Sequence, residues 1–241
     1  MIELTQHTFP LPYLPAELDG IRVIQISDLH RSRYTSDERL KRAIRIANDA
    51  CPDLILLTGD YVTDDPADID PCGHILSELR SPMGIYAVLG NHDVTADSSG
   101  VERMLHRLDI TVLTNRNIKL TQGLWIAGLE DDRHGQPDIS RALHGAPDIA
   151  PLILLTHNPK NAELASHREC LALSGHTHGG QIRLPFITAR EVRRIGAGSY
   201  RAGWYTIGKV KLYVNRGLGQ VGLPLRFLCR PEISLFTLTC P

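Results

Sequence analysis

The sequence predicts an α/β fold in which two mixed β-sheets pack face to face, with helices flanking them. Three observations carry this expectation. The first half alternates short β-branched runs with segments of helical periodicity. The second half is dominated by short strands separated by turn residues. Polar, glycine-rich clusters follow several of the strands, where open α/β sheets hold their ligands.

Taken in order, residues 1–20 read as an extended lead-in, because Phe9-Pro10-Leu11-Pro12-Tyr13-Leu14-Pro15 is too rich in proline for a helix. Residues 21–26 form a β-branched run that predicts a buried strand ending in Ser27-Asp28-Leu29-His30. Leu40, Ala43, Ile44 and Ala47 have helical spacing, which predicts a helix over 37–50. Strands follow at 53–57, ending in Thr58-Gly59-Asp60, and at 84–89, ending in Gly90-Asn91-His92-Asp93. Helices are expected over 70–79 and around 101–108. Beyond Ile110 the expected strands are 111–114, 118–120, 124–128, 152–155, 170–173, 204–207, 211–214 and 233–238. Residues 130–148 are polar and read as a loop at the mouth of a pocket. No repeat or linker divides the chain, so residues 1–241 are read as one domain.

The 241 residues suffice for a sizeable core, and the composition (42% hydrophobic, 22% charged) is that of a globular protein. A net charge of −1 provides no global attraction for nucleic acid, which disfavours a nuclease. Five cysteines, with no C-x-x-C pair, argue against a disulfide framework or a structural zinc site. The N-terminus lacks a basic and an apolar signal region, and no run is long enough to cross a bilayer. The expected location is cytoplasmic, with at most a peripheral membrane contact.

The chemistry lies in five clusters: Asp28-x-His30, Gly59-Asp60, Gly90-Asn91-His92-Asp93, His157 and Gly175-His176-x-His178. Each supplies oxygen or imidazole donors. Alone, an Asp after a strand is as readily a cap, and a lone His is more often structural. Together and in this order they outweigh those readings. Residues two apart on a strand share a face, so Asp28 can converge with His30, and His176 with His178. Asp28, His30, Asp60, Asn91, His157, His176 and His178 are too many for one ion but suit two divalent cations sharing one carboxylate. Four imidazoles favour manganese, iron, zinc or cobalt over magnesium. Such a pair of cations lowers the pKa of a bridging water and clamps a phosphate.

This ordered set resembles the calcineurin-like metallophosphoesterases, from about residue 21 to the end. The resemblance implies the β-sandwich of that family and a metal-dependent phosphoric ester hydrolase with a dinuclear site and bridging hydroxide. It implies that Asp28, His30, Asp60 and His178 bind one metal, and that Asp60, Asn91, His157 and His176 bind the other. It further implies that His92 protonates the leaving oxygen and that Asp93 orients and charge-stabilises His92. Gly175-His176-Thr177-His178-Gly179-Gly180-Gln181 is similar to a bacterial phosphodiesterase branch, some members of which hydrolyse UDP-2,3-diacylglucosamine. The expected activity is therefore that of a phosphodiesterase or pyrophosphatase on a small phosphate-ester or nucleotide-type substrate. The alternatives are a UDP-2,3-diacylglucosamine pyrophosphatase, a phosphomonoesterase and a non-catalytic scaffold.

One departure is Thr63, where the family often has a second acid three residues after the bridging Asp. Arg31, Arg33 and Arg216 are candidates to grip substrate, against the blander reading of solvated or loop-anchoring arginines. The basic stretch 190–201, followed by Trp204 and Tyr205, is a candidate lipid contact, with a solvated loop the favoured reading. Residues 223–228 are expected to complete the core.

Overall fold

The computed structural model describes residues 1–133, 135–183, 192 and 195–241. Arg190, Arg193 and Arg194 of the candidate lipid stretch lie outside the described residues.

The first sheet contains β1 (Glu3–Pro10), β2 (Ile21–Ile26), β3 (Leu54–Leu57), β4 (Ile85–Ala87), β5 (Ile110–Val112) and β12 (Glu232–Thr239), in the order β1-β12-β2-β3-β4-β5. The second contains β6 (Arg116–Lys119), β7 (Trp125–Gly128), β8 (Leu152–Leu155), β9 (Cys170–Ser174), β10 (Gly203–Ile207) and β11 (Val210–Val214), in the order β10-β11-β9-β8-β7-β6. Strands β2 to β5 run parallel, as do β7, β8, β9 and β11. Both sheets are mixed, as expected.

The period of two sorts the side chains into layers. Leu54 and Leu56 of β3 face β8 residues Ile153 and Leu155 in the core between the sheets. Ile55 and Leu57 instead join a core with α1 (Asp37–Asp49), α2 (Ile69–Leu76) and α3 (Asn91–Arg107). Leu152 and Leu154 point to the other side, where α4 (Ile139–Ala142) and the turn at Pro159–Ala165 cover them. The stripe Leu40, Ala43, Ile44 and Ala47 is the buried face of α1, whose first turn is capped by Ser36.

Two expectations are corrected. The lead-in is partly strand: β1 pairs in parallel with β12 along its length, because its prolines cluster at and beyond Pro10 and leave 3–9 free to pair. The third helix begins ten residues early, at Asn91, and is interrupted at Asp97, where the backbone is extended. Its polar first part lacks the periodicity by which the rest was recognised.

Glu232 ties the two sheets together. Its buried carboxylate accepts from Thr5 Oγ1 (2.8 Å), Ser234 Oγ (3.0 Å), Arg216 Nε (2.5 Å) and the Tyr213 hydroxyl of the second sheet. Burial opposes its ionisation, but Arg216, Tyr213 and Thr5 outweigh this and hold its carboxyl below the usual range. Replacing Glu232 by alanine removes the closer of the two carboxylates that Arg216 meets, leaving only the half-exposed Glu3, and takes away the acceptor of the Tyr213 hydroxyl. The expected cost is about 3–5 kcal/mol, measured by urea denaturation. Because the folded-state pKa is depressed, the contribution is present above the unfolded carboxyl pKa and lost as pH falls through the folded one.

Candidate metal centre

The parallel strands deliver the five clusters to one rim. Asp28 and His30 follow β2, Asp60 follows β3, and Asn91 opens α3 after β4; His157 follows β8, and His176 and His178 follow β9. The convergence does not arise from strand alternation, as the spacing suggested. Asp28, His30, Asp60, His176 and His178 all lie beyond the strands with φ between 44° and 70°. Such left-handed backbone costs roughly 1–2 kcal/mol per residue and concentrates at functional sites. The two histidines of Gly175-His176-x-His178 accordingly do not share one point but serve two neighbouring groups.

One group is Asp28, His30, Asp60 and His178; the other is Asp60, His157 and His176. All are buried. Asp60 belongs to both: its Oδ2 lies 3.3 Å from His30 Nε2 and 3.1 Å from His157 Nε2. His178 Nε2 lies 3.4 Å from Asp28 Oδ1 and 3.1 Å from His30 Nε2. His176 Nδ1 lies 3.2 Å from His157 Nε2.

The donor set fits divalent cations. His157 Nδ1 faces the Thr58 carbonyl at 2.8 Å, and His176 Nε2 faces the Ile195 carbonyl at 3.0 Å. A carbonyl only accepts, so the outward nitrogen of each ring carries an N–H. Burial opposes the charged form of His157, but Asp60 prevails and holds this imidazole well above its ordinary pKa, so a cation would displace the proton from its inward nitrogen. Asn91 Oδ1 is buried and has no hydrogen-bond partner among the described residues. An acceptor in that state costs free energy unless something electropositive meets it. Close backbone approach completes the frame. A Cβ on Gly90 would sit 2.2 Å from Asp60 Oδ1, and one on Gly175 would sit 2.2 Å from Asp28 Oδ2.

The electrostatics follow from crowding. Burial pushes the Asp28 carboxyl up. Burial also opposes Asp60, but His157 and His30 prevail and hold it well below the usual range. His176 is pushed down to about 4 by burial and then by His157. Burial, His30 and Arg226 hold His178 well below its ordinary value. His176 and His178 are therefore neutral near pH 7, the form that ligates metal.

His92 is at the rim, its ring centroid 4.9 Å from that of His30. Its Nδ1 lies 3.0 Å from the Thr63 carbonyl and 3.0 Å from Asp64 Oδ1. Asp93, expected to orient His92, does not meet it. The buried Asp93 carboxylate accepts the backbone N–H groups of Asp60 (2.8 Å), Tyr61 (2.8 Å), Val62 (3.3 Å) and Gly90 (2.9 Å). It occupies the third position of α3 and caps the helix while bracing the Asp60 loop. Burial, then Asp60, push this carboxyl up to about 7, against the pull of its N–H donors.

Among the candidate arginines, Arg31 pairs with Asp37 and Asp68, and Arg216 with Glu232 and Glu3. Both anchor loops. Arg33 is exposed and contacts the adjacent Tyr34. Two residues escaped the sequence reading. Asp64 is one; Arg226, whose guanidinium lies 3.2 Å from His178 Nδ1 while donating to the Gly219 and Arg216 carbonyls, is the other. Thr63 Oγ1 lies 3.3 Å from His30 Nδ1, so the residue that replaces the family's second acid still touches a candidate ligand.

Comparison with known proteins bears on the family and the fold. The curated relative YkuE of Bacillus subtilis (strain 168), an uncharacterized metallophosphoesterase, is 40% identical, covering 99% of this chain and 86% of its own length. Phosphodiesterase YaeI of Escherichia coli (strain K12) is 28% identical, covering 98% and 88%. Among solved structures, TT1561 of Thermus thermophilus superposes with a TM-score of 0.57 at 16% identity, covering 83% of this chain and 90% of that one. The family description that matches residues 21–180 is calcineurin-like phosphoesterase, and with two thirds of its length inside that match the chain belongs to this family.

Proposed function

We propose that the protein hydrolyses phosphodiesters or pyrophosphates at a dinuclear centre. Asp28, His30, Asp60 and His178 would hold one divalent cation, and Asp60, Asn91, His157 and His176 the other. The observation that carries this reading is the single Asp60 carboxylate common to both donor groups. Bound there, two cations supply the charge that activates water and neutralises a phosphate oxyanion. The imidazole-rich set favours manganese, iron, zinc or cobalt.

The chain's own residues supply the rest. His92 is held by its Nδ1, which turns Nε2 away from Thr63 and Asp64. Burial lowers its basicity, but Asp60, Asp64 and the Thr63 carbonyl outweigh this and raise it above the ordinary value. An imidazolium at that position can give its Nε2 proton to a departing alkoxide. Asp60 and then Asp64, rather than Asp93, are the carboxylates that favour this charged form, and Asp64 is the one bonded to the ring; Asp93 acts by fixing the backbone that presents Asp60.

Asp64→Asn is expected to lower kcat about 3–10-fold while metal content stays unchanged. The limb of the pH profile that reports loss of the His92 proton should move to lower pH, because a charge that raised its pKa is gone. Steady-state assays across pH check both outcomes.

The substrate class is tested by comparing bis-p-nitrophenyl phosphate, p-nitrophenyl phosphate and UDP-2,3-diacylglucosamine. The proposal expects kcat/KM to be higher for the diester than for the monoester. Preference for the monoester would contradict it. A much larger kcat/KM for the nucleotide would narrow the reading to the pyrophosphatase.

A further inference from the structure

Residues 223–228 do not complete the core, as the sequence suggested. Leu223, Leu225, Phe227 and Leu228 are 63%, 53%, 46% and 72% exposed. Yet the segment is firmly attached. Gln181, three residues after His178, donates through Nε2 to the Val221 and Leu223 carbonyls and accepts the Val221 N–H on Oε1. The Phe227 N–H donates to the Gln181 carbonyl, and Arg226 turns inward to the Gly219 and Arg216 carbonyls. The inward positions of the loop carry the polar anchors, and the outward ones carry its largest apolar side chains. An ordered loop that spends four such side chains on water is the pattern of an interaction surface.

The loop forms one wall of an open groove of about 770 Å³, with the first half of α1 forming another. Arg39, Arg42 and Arg230 line it alongside the half-buried Arg226, against a single lining carboxylate, Glu38. Arg39, Arg42 and Arg230 make no ion pair among the described residues. The surface is thus apolar at its projecting edge and cationic behind it.

We propose that the loop 221–229 and the first half of α1 form a docking surface for an anionic lipid bilayer. Leu223, Leu225, Phe227 and Leu228 enter the interfacial region, and Arg39, Arg42 and Arg230 meet the anionic headgroups. Charge selects this occupant over a second copy of the chain. A two-fold contact would set the arginines of one patch against those of the other. Because Gln181 and Arg226 tie the loop to the His178 segment, docking places the candidate metal centre beside the headgroup layer. The docking surface stands independently of the catalytic reading.

The test is sedimentation of the full chain with phosphatidylcholine vesicles and with vesicles of phosphatidylcholine and phosphatidylglycerol. Binding is expected only to the anionic vesicles and should weaken with added salt. The pairs Leu225→Ser with Leu228→Ser, and Arg39→Gln with Arg42→Gln, should each lower the partition coefficient about tenfold or more. Circular dichroism and thermal melting establish that the variants remain folded. In an otherwise unchanged chain, Leu228→Trp should give an emission that shifts to the blue on anionic vesicles and is quenched by brominated acyl chains. Absence of vesicle binding, binding that both paired variants retain, or a Leu228→Trp emission that stays unquenched would each overturn the proposal. So would a wild-type dimer that the leucine pair converts to monomer with vesicle binding unchanged.

Discussion

Asp60→Asn is expected to lower phosphodiester hydrolysis by about 10³-fold or more, some 4 kcal/mol of transition-state stabilisation. Asp60 is the one side chain common to both donor groups, so on the proposed two-metal reading the change strikes both cations at once. The amide keeps the shape of the carboxylate, and Oδ1 can still accept the His92 N–H, a bond of 2.9 Å. The fold should therefore survive, and what is lost is the negative charge between two cations. Near-wild-type melting with a collapse in kcat/KM and in metal content is the expected pattern.

His92→Ala should produce the opposite division. His92 lies in neither donor group, so metal content should match the wild type. On the proposed acid role its removal deletes a proton donor, with an expected loss in kcat of about 10²–10⁴-fold on substrates with a poor alkoxide leaving group. For p-nitrophenolate, which leaves without a proton, the loss should shrink towards unity. A loss that is the same for alkyl and p-nitrophenyl diesters would show that His92 does not act as the acid. Hydrolysis of a series of diesters of graded leaving-group pKa reads this directly.

Much of this protein is legible in its sequence because local rules and global fold agree. The runs at 54–57 and 152–155 are apolar on both faces, and both faces are covered. The stripe on α1 and the order of the five polar clusters are equally direct. What failed did so for identifiable reasons. Asp93 is adjacent to His92, which made it the natural partner by sequence. The helix instead turns its carboxylate back to the Gly90 N–H. The signal was available, because a residue three positions after a helix cap reaches back to that cap. Asp64 reaches His92 only because the loop after Asp60 folds over the start of α3, and no spacing rule encodes that. Arg226 meets His178 across 48 residues of sequence, through a loop with no periodicity of its own. The leucines from 223 to 228 read as core because their hydrophobicity is plain and their outward direction is not. Their exposure depends on Gln181 and Arg226 taking the inward positions.

The central claim is that one carboxylate organises a two-metal site, and calorimetric titration of chelator-stripped protein with manganese tests it most directly. The account predicts two equivalents bound by the wild type and by His92→Ala, weak or absent binding at both sites in Asp60→Asn, and diester hydrolysis that returns only as manganese is restored. A single equivalent bound in the wild type, or two equivalents that Asp60→Asn retains with unchanged affinity, would contradict it.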